Sequence, residues 1–236
     1  MDFATRSTQL ELMDDPNMDA EKYERAYLDI NRCNKLLGGY GITITEVQKL
    51  LRSHPKKSYT ILDMGCGDGE MLRRISKVID NEGFSLNLIG VDLRDDVLDI
   101  ARSKATDYNN VSFIKQDILD IEDNFDCDII LCTLTMHHFT NDQIKVFLNK
   151  FVSLAKVGVV INDLERSKIS YQLFKLFSFF FIKTEIAKID GLISIRKGFK
   201  KSDLTSFSKQ LTQAEHLIKW KWAFRYVWVM QMNRLN

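Results

Sequence analysis

The chain has 236 residues, enough for one large domain or two small ones. Hydrophobic residues make up 45% and charged residues 28%, an ordinary globular balance that excludes general disorder. Thirty-three basic residues against thirty-two acidic ones leave a net charge of +1, without the basic excess of a general nucleic-acid binder. Cys33, Cys66, Cys127 and Cys132 lie far apart with no C-x-x-C pair, so neither a zinc knot nor a disulfide framework is signalled. No His, Asp or Glu cluster has metal-ligand spacing either, and no metal is implied. The first fifteen residues carry Asp2, Arg6, Glu11, Asp14 and Asp15 and no apolar core, which argues against a signal peptide. A cytoplasmic protein with reduced thiols is expected.

In chain order, apolar residues first recur at helical spacing from Asp19 to Leu37, with Gly38-Gly39 as a stop. Val47, Leu50 and Leu51 suggest a short second helix ending before Pro55. From Tyr59 the pattern becomes an alternation. Strand-like runs cover 59–63, 87–92, 111–115, 128–133 and 157–163, and helical runs cover 70–79, 96–104 and 141–155. The third of these helices opens on Thr140 and Gln143, a capping-box spacing. Alternation of this kind predicts a parallel sheet with helices on both faces.

A long apolar helix is then expected over roughly Ile169 to Ile186. It is apolar nearly all round, so it should be covered on several sides. It is too short to span a bilayer, which needs about 20 apolar residues, and no stable membrane insertion is expected. A short helix follows near Ser202, and two β-rich runs, 215–221 and 224–232, suggest a terminal hairpin.

The strongest signal is Ile61-Leu62-Asp63-Met64-Gly65-Cys66-Gly67-Asp68-Gly69-Glu70, a strand running into alternate glycines and then a helix. Such glycines allow a sharp turn and a close approach of backbone amides to a ligand. A phosphate loop would need a Gly-Lys-Ser/Thr ending, which is missing. A dinucleotide loop would need G-x-G-x-x-G, whereas this spacing is G-x-G-x-G with Asp63 in front. A carboxylate there would repel a pyrophosphate and suit a ligand that carries an ammonium group.

Asp63-x-Gly65-x-Gly67-x-Gly69 resembles the first motif of class I S-adenosylmethionine-dependent methyltransferases. Three later strings resemble that family's next elements, in order: Ile89-Gly90-Val91-Asp92, Phe113 to Ile118, and Phe125 to Cys132. The resemblance implies an α/β fold: a doubly wound, mostly parallel, Rossmann-like sheet of seven strands, with an N-terminal helical cap and a C-terminal antiparallel hairpin. It divides the chain into a cap or lid at 1–55 and a catalytic domain at 56–236, with a helical insertion at about 167–190. The implied cofactor is S-adenosylmethionine, with S-adenosylhomocysteine as product. Its implied contacts are Asp63, Gly65, Cys66, Gly67 and Gly69 in the loop, Asp92 on the ribose hydroxyls with Leu93 beside it, Asp117 on the adenine amino group with Ile118, and Cys132 and Thr133 by the methionine part.

Thr133 to Phe139 is similar to the fourth-strand exit of small-molecule methyltransferases of the ubiquinone/menaquinone-biosynthesis type, and 160–167 and 194–199 look like segments of relatives associated with polyketide or quinone-like substrates. Methyl transfer to a hydroxyl or an acidic carbon needs a base, and histidine is the usual one. His137 and His138 are the candidates; adjacent residues diverge, and His137 is preferred for the cleft. Asp163 and Arg166 are candidates for acceptor binding, or else form an ion pair at a helix start. Tyr23, Tyr27 and Phe177 are expected to line an aromatic pocket for an apolar acceptor such as a polyketide, phenol or quinone precursor. The same apolar helix would also serve as extra core, a dimer interface or a membrane-surface contact.

Methylation of a nucleic-acid base is disfavoured, because no proline follows Pro55 and the chain therefore lacks both a Pro-Pro-Tyr loop and a Pro-Cys nucleophile. The expectation is a monomeric or homodimeric enzyme that methylates a small acceptor at oxygen or carbon. A catalytically silent scaffold subunit and a protein-substrate enzyme are the alternatives.

Overall fold

A computed structural model describes residues 2–15, 17–79, 83–121 and 125–233. Five parallel strands occupy the middle of one sheet: β1 (Ser58–Met64), β2 (Ser85–Asp92), β3 (Val111–Lys115), β4 (Cys127–Thr133) and β5 (Ala155–Leu164). The terminal hairpin is real: β6 (Ala214–Lys221) pairs antiparallel with β7 (Arg225–Met232), and β7 pairs antiparallel with β5. The order is β3-β2-β1-β4-β5-β7-β6, so the chain reverses direction across the sheet beside β1. Open α/β sheets leave a crevice beyond the strand carboxyl ends at such a reversal.

Side chains alternate between two cores. Ile61, Leu131 and Val160 lie with α2 (Gly39–Ser53) and α3 (Glu70–Ile79) on one face. Leu62, Ile130 and Ile161 lie with α5 (Asn141–Leu154) and α8 (Lys201–Ser208) on the other. Period-two alternation between two apolar faces is what a buried parallel sheet requires. The capping box of α5 is present, with the Thr140 hydroxyl accepting from the Gln143 amide and the Gln143 side chain accepting from the Thr140 amide.

The N-terminal cap divides in two. α2 lies on the sheet, where a Cβ at Gly158 would come within 3.0 Å of Leu50. α1 (Ala20–Leu36) instead crosses the strand ends and touches α4 (Asp95–Lys104) and α7 (Glu185–Lys197). Gly38, at φ +72°, makes the corner between the two helices, a backbone geometry that favours glycine.

The expected long helix over 169–186 is two helices, α6 (Lys168–Phe181) and α7. The break is chemical. The Asp29 carboxylate accepts from the Lys183 amide, the Thr184 amide and the Thr184 hydroxyl at 2.7–2.9 Å, and Thr184 then caps α7 through the Ala187 amide. Side-chain competition of this kind ends one helix and starts the next. The expectation that α6 is covered on several sides is also corrected: Leu176, Phe179 and Phe180 are 60–75% exposed. Among the described residues no helix is long and apolar enough to cross a membrane.

Candidate active site

One cavity of about 800 Å³ opens at the carboxyl ends of β1, β2, β4 and β5, roofed by α1 and flanked by α6 and α7. Its first end is built by the turn after β1. Gly65 and Gly67 have φ of +72° and +54°, left-handed values that cost side-chain-bearing residues about 1 kcal/mol or more. The turn folds back on β2, with the Gly65 and Cys66 amides donating to the Val91 carbonyl and the Gly67 amide donating to the Asp92 carboxylate at 3.0 Å. A Cβ on Gly65 would fall 2.3 Å from Thr135, and one on Gly67 would fall 2.8 Å from the Tyr27 ring.

Three carboxylates ring this end. Asp63 is 2% exposed and its Oδ1 has no hydrogen-bond partner. Burial, with the charge of Asp92 beside it, pushes the Asp63 carboxyl up to about 7. Burial also raises Asp92, against the donated amides of Gly67, Arg94 and Leu93. Asp117 lines the cavity while accepting from the Leu119 amide at 2.9 Å. A buried carboxylate with an unmet oxygen fits a ligand that brings a cationic donor, as the amino-acid end of S-adenosylmethionine does. Leu93, Ile118, Cys66 and Thr133 line the same end. Cys132 is fully buried beneath it and does not reach the lining, because burial in the β4 core claims its side chain.

The second end is apolar with a charged floor. Leu173, Phe174, Phe177, Ile182, Trp222 and Phe224 line it. Tyr23 and Tyr27, expected at the acceptor, line the cavity over the first end: the Tyr27 ring faces Gly67, and the Tyr23 ring lies under the Arg94 guanidinium. Gly191 admits the Phe174 ring, which stands 2.3 Å from where a Cβ would be. Beyond β4 the chain turns at Leu134, whose φ of +54° is a strained value for a leucine, and brings His137 back over Asp163. His137 is 3% exposed, and its Nδ1 lies 2.7 Å from Asp163 Oδ1. Asp163 also accepts the His137 and Leu164 amides. Burial pushes Asp163 up, but the imidazole and these donors outweigh it and hold its carboxyl below the usual range. An imidazole whose one N–H lies on Nδ1 and is donated to the Asp163 carboxylate as a hydrogen bond keeps Nε2 as an acceptor.

His138 does not diverge from His137 as expected: the two rings lie 4.4 Å apart, and His138 Nδ1 is 3.2 Å from Asp14. Burial lowers its pKa, and the partners Asp14 and Glu11 more than reverse that, leaving it raised. Glu11 Oε1 lies 3.6 Å from His137 Nε2 and 3.4 Å from the Lys197 ammonium. The donor atoms of Glu11, His137 and His138 lie within 4.8 Å of one another, so a metal-sized cluster exists that no sequence spacing announced. The Lys197 ammonium already supplies a cation beside Glu11.

Two residues expected at the acceptor are placed otherwise. Arg166 is spent on the backbone, donating to the carbonyls of Gly198, Phe3 and Ala4 and pairing with Asp203 at 3.0 Å, so it does not reach the cavity. Asp163 acts behind His137 and does not line the wall. Neither ion-pair partner is the other.

Other cavity residues escape a motif reading. Arg225 is buried and donates to Asn34 at 2.6 Å, with Nε and Nη1 unpartnered. Asp190 accepts the Leu12 and Met13 amides. The segment at 2–15 is tied across the site: Arg6 donates to the carbonyls of Lys197, His137 and Phe139. Only the acidity of 2–15 signalled it, and acidity does not name a partner.

Comparison with known proteins agrees with this architecture. Residues 61–158 match the family model described as a methyltransferase domain. The putative methyltransferase YqeM of Bacillus subtilis is 31% identical over 119 residues, 49% of this chain and 45% of that protein. Malonyl-[acyl-carrier protein] O-methyltransferase 1 of Ilyobacter polytropus is 26% identical over 148 residues, 63% of this chain and 50% of that protein. The matched stretch thus spans about half the length of these curated relatives. The plantazolicin methyltransferase BpumL, solved with a triazolic desmethylPZN analog and SAH, shares the fold with a TM-score of 0.71, 18% identity and coverage of 94% of this chain and 93% of that one.

Proposed function

We propose, from the premise that the chain carries a domain of the class I S-adenosylmethionine-dependent methyltransferases, that it methylates a small apolar or aromatic acceptor at oxygen or an acidic carbon. The observation that carries this reading is one continuous cavity: a glycine turn and acidic groups, with an unmet oxygen on Asp63, at one end, and an aromatic wall over a buried His–Asp pair at the other. When bound, S-adenosylmethionine supplies a methyl group already activated on a sulfonium.

The chain's own residues then have separate tasks. Asp63 pairs with the ammonium, Asp92 accepts from the ribose hydroxyls, and Asp117 accepts from the adenine amino group; Leu93 and Ile118 flank the base. Gly65, Cys66, Gly67 and Gly69 set the turn, and Thr133 ends the strand beside the methionine part. Phe177 holds the acceptor in line while Tyr23 and Tyr27 close over the cofactor end, and alignment alone can contribute about 7–11 kcal/mol. His137 Nε2 takes the acceptor's proton while Asp163 fixes its tautomer, a role typically worth about 10²–10⁴ in rate. His138 positions the segment at 2–15 through Asp14. The cytoplasm is the compartment proposed, since all four cysteines are free thiols.

Calorimetry with S-adenosylhomocysteine, followed by label transfer from methyl-labelled S-adenosylmethionine to a panel of 4-alkylphenols, tests the reading. Micromolar binding and labelling by wild type but not by Asp92→Ala are expected. A folded protein that binds neither cofactor form overturns it.

A further inference from the structure

α6 has two faces with different surroundings. Phe174 and Phe177 turn toward the cavity, and Ser170 and Ser178 are buried. On the opposite side Ile169, Leu173, Leu176 and Phe180 follow the four-three-four spacing of a single stripe, with exposures of 65, 47, 60 and 68%; Phe179 beside it is 75% exposed. Scattered exposed leucines are ordinary, but a contiguous stripe of large apolar side chains marks a surface that is covered in use.

The polar residues on this side include no acid. Lys168, Gln172 and Lys175 are exposed along the helix and Lys183 follows its end, with no acidic residue from 168 to 184. Such a combination, an aromatic and aliphatic stripe edged by lysines, suits a helix lying in the interface of a lipid bilayer. Fourteen residues reach only about 21 Å, too short to cross the hydrocarbon and long enough to lie along it. A second copy of the chain is the poorer occupant, because a two-fold contact along this stripe would set lysines against lysines, whereas anionic headgroups complement them.

The stripe also runs into the cavity mouth. Leu173 belongs to both surfaces, and Trp222, 64% exposed on the turn between β6 and β7, lines the same cavity. We infer that α6 docks the protein on an anionic membrane surface, with the stripe of Leu176 and Phe180 at the headgroup–acyl boundary and the lysines on lipid phosphates. The docking surface stands independently of the methyl-transfer reading. Where both hold, an apolar acceptor reaches the cavity from the lipid past Leu173 and Trp222.

Flotation of the full chain with phosphatidylcholine vesicles, with and without about a third phosphatidylglycerol, tests the assignment. The protein should float with the anionic vesicles and be released by high salt, which screens the lysines. Leu176→Glu with Phe180→Glu should weaken flotation by about tenfold or more, and Lys168→Glu with Lys175→Glu by about tenfold. Both pairs are exposed and outside the cofactor end, so melting temperature and S-adenosylhomocysteine affinity should match wild type. Failure of wild type to float, or equal flotation by the variants, overturns the proposal. A dimer in sedimentation that Leu176→Glu with Phe180→Glu converts to monomer, without wild-type flotation, assigns the stripe to a second copy and overturns it equally. None of these outcomes touches cofactor binding, so the two readings fail separately.

Discussion

The two ends of the cavity are held by different means. At the first end, backbone dominates: amides of the turn after β1 close on the Val91 carbonyl and on Asp92, and the acidic groups sit at or next to strand ends. At the second end, side chains from Glu11, His137, Asp163, Phe174, Lys197 and Arg225 meet from six separate stretches of chain. The first is fixed by the sheet itself and permits almost no side-chain variation. The second rests on the helix pair α6–α7 and the segment at 2–15, which lie outside the sheet.

Substitutions should separate these ends. His137→Gln should lower turnover by about 10²–10⁴ while leaving S-adenosylhomocysteine affinity near wild type, read by labelled methyl transfer and calorimetry. If both parameters fall together, the histidine belongs to the fold and the division between the ends collapses. Gly67→Val should act the opposite way, weakening cofactor binding by about 10² or more. Its side chain would meet Tyr27 at 2.8 Å and force a left-handed backbone on a β-branched residue.

Asp63 gives a pH signature. Its folded pKa of about 7 lies above the ordinary carboxylate value, so the ionised form is the one the fold disfavours. The unliganded protein therefore loses stability from this group as pH rises from about 4 to 7, by up to about 4 kcal/mol. A ligand ammonium needs the ionised form, so affinity should tighten as pH rises toward 7 and level off above it. Asp63→Asn should weaken binding about tenfold, flatten that profile and raise the melting temperature at pH 8. A variant that melts lower at pH 8 removes the explanation. The smallest effect belongs to Phe177→Ala, which should raise KM for 4-alkylphenols about three- to tenfold with cofactor affinity unchanged.

The same division explains what the sequence made legible. That Asp63, Gly65, Gly67, Asp92 and Asp117 gather at the strand ends was legible because each lies in or next to a strand end that the local apolar and glycine pattern marks. The sheet followed from apolar alternation, and its hairpin edge from two β-rich runs. The α6–α7 break could not be read, because its cause is Asp29, about 150 residues earlier. Arg166 was misread for a similar reason: its partners at Phe3, Ala4 and Gly198 are distant, and a motif position says nothing of them. Glu11 and Lys197 flank the catalytic candidate only after the fold closes.

The ties that hold residues 2–15 have a consequence for how the molecule is made. Arg6 rests on Lys197, Arg166 on Phe3 and Ala4, and the Ser7 amide on the Arg196 carbonyl. During synthesis this stretch leaves the ribosome well before its partners at 196–198, which lie about 190 residues further along the chain. β7, which completes the core beside β5, comes later still. The segment therefore waits for these partners while strands β1 to β5 are made. Its docking can follow only after 196–198 are made, and these contacts join the two ends of a loop of chain about 190 residues long.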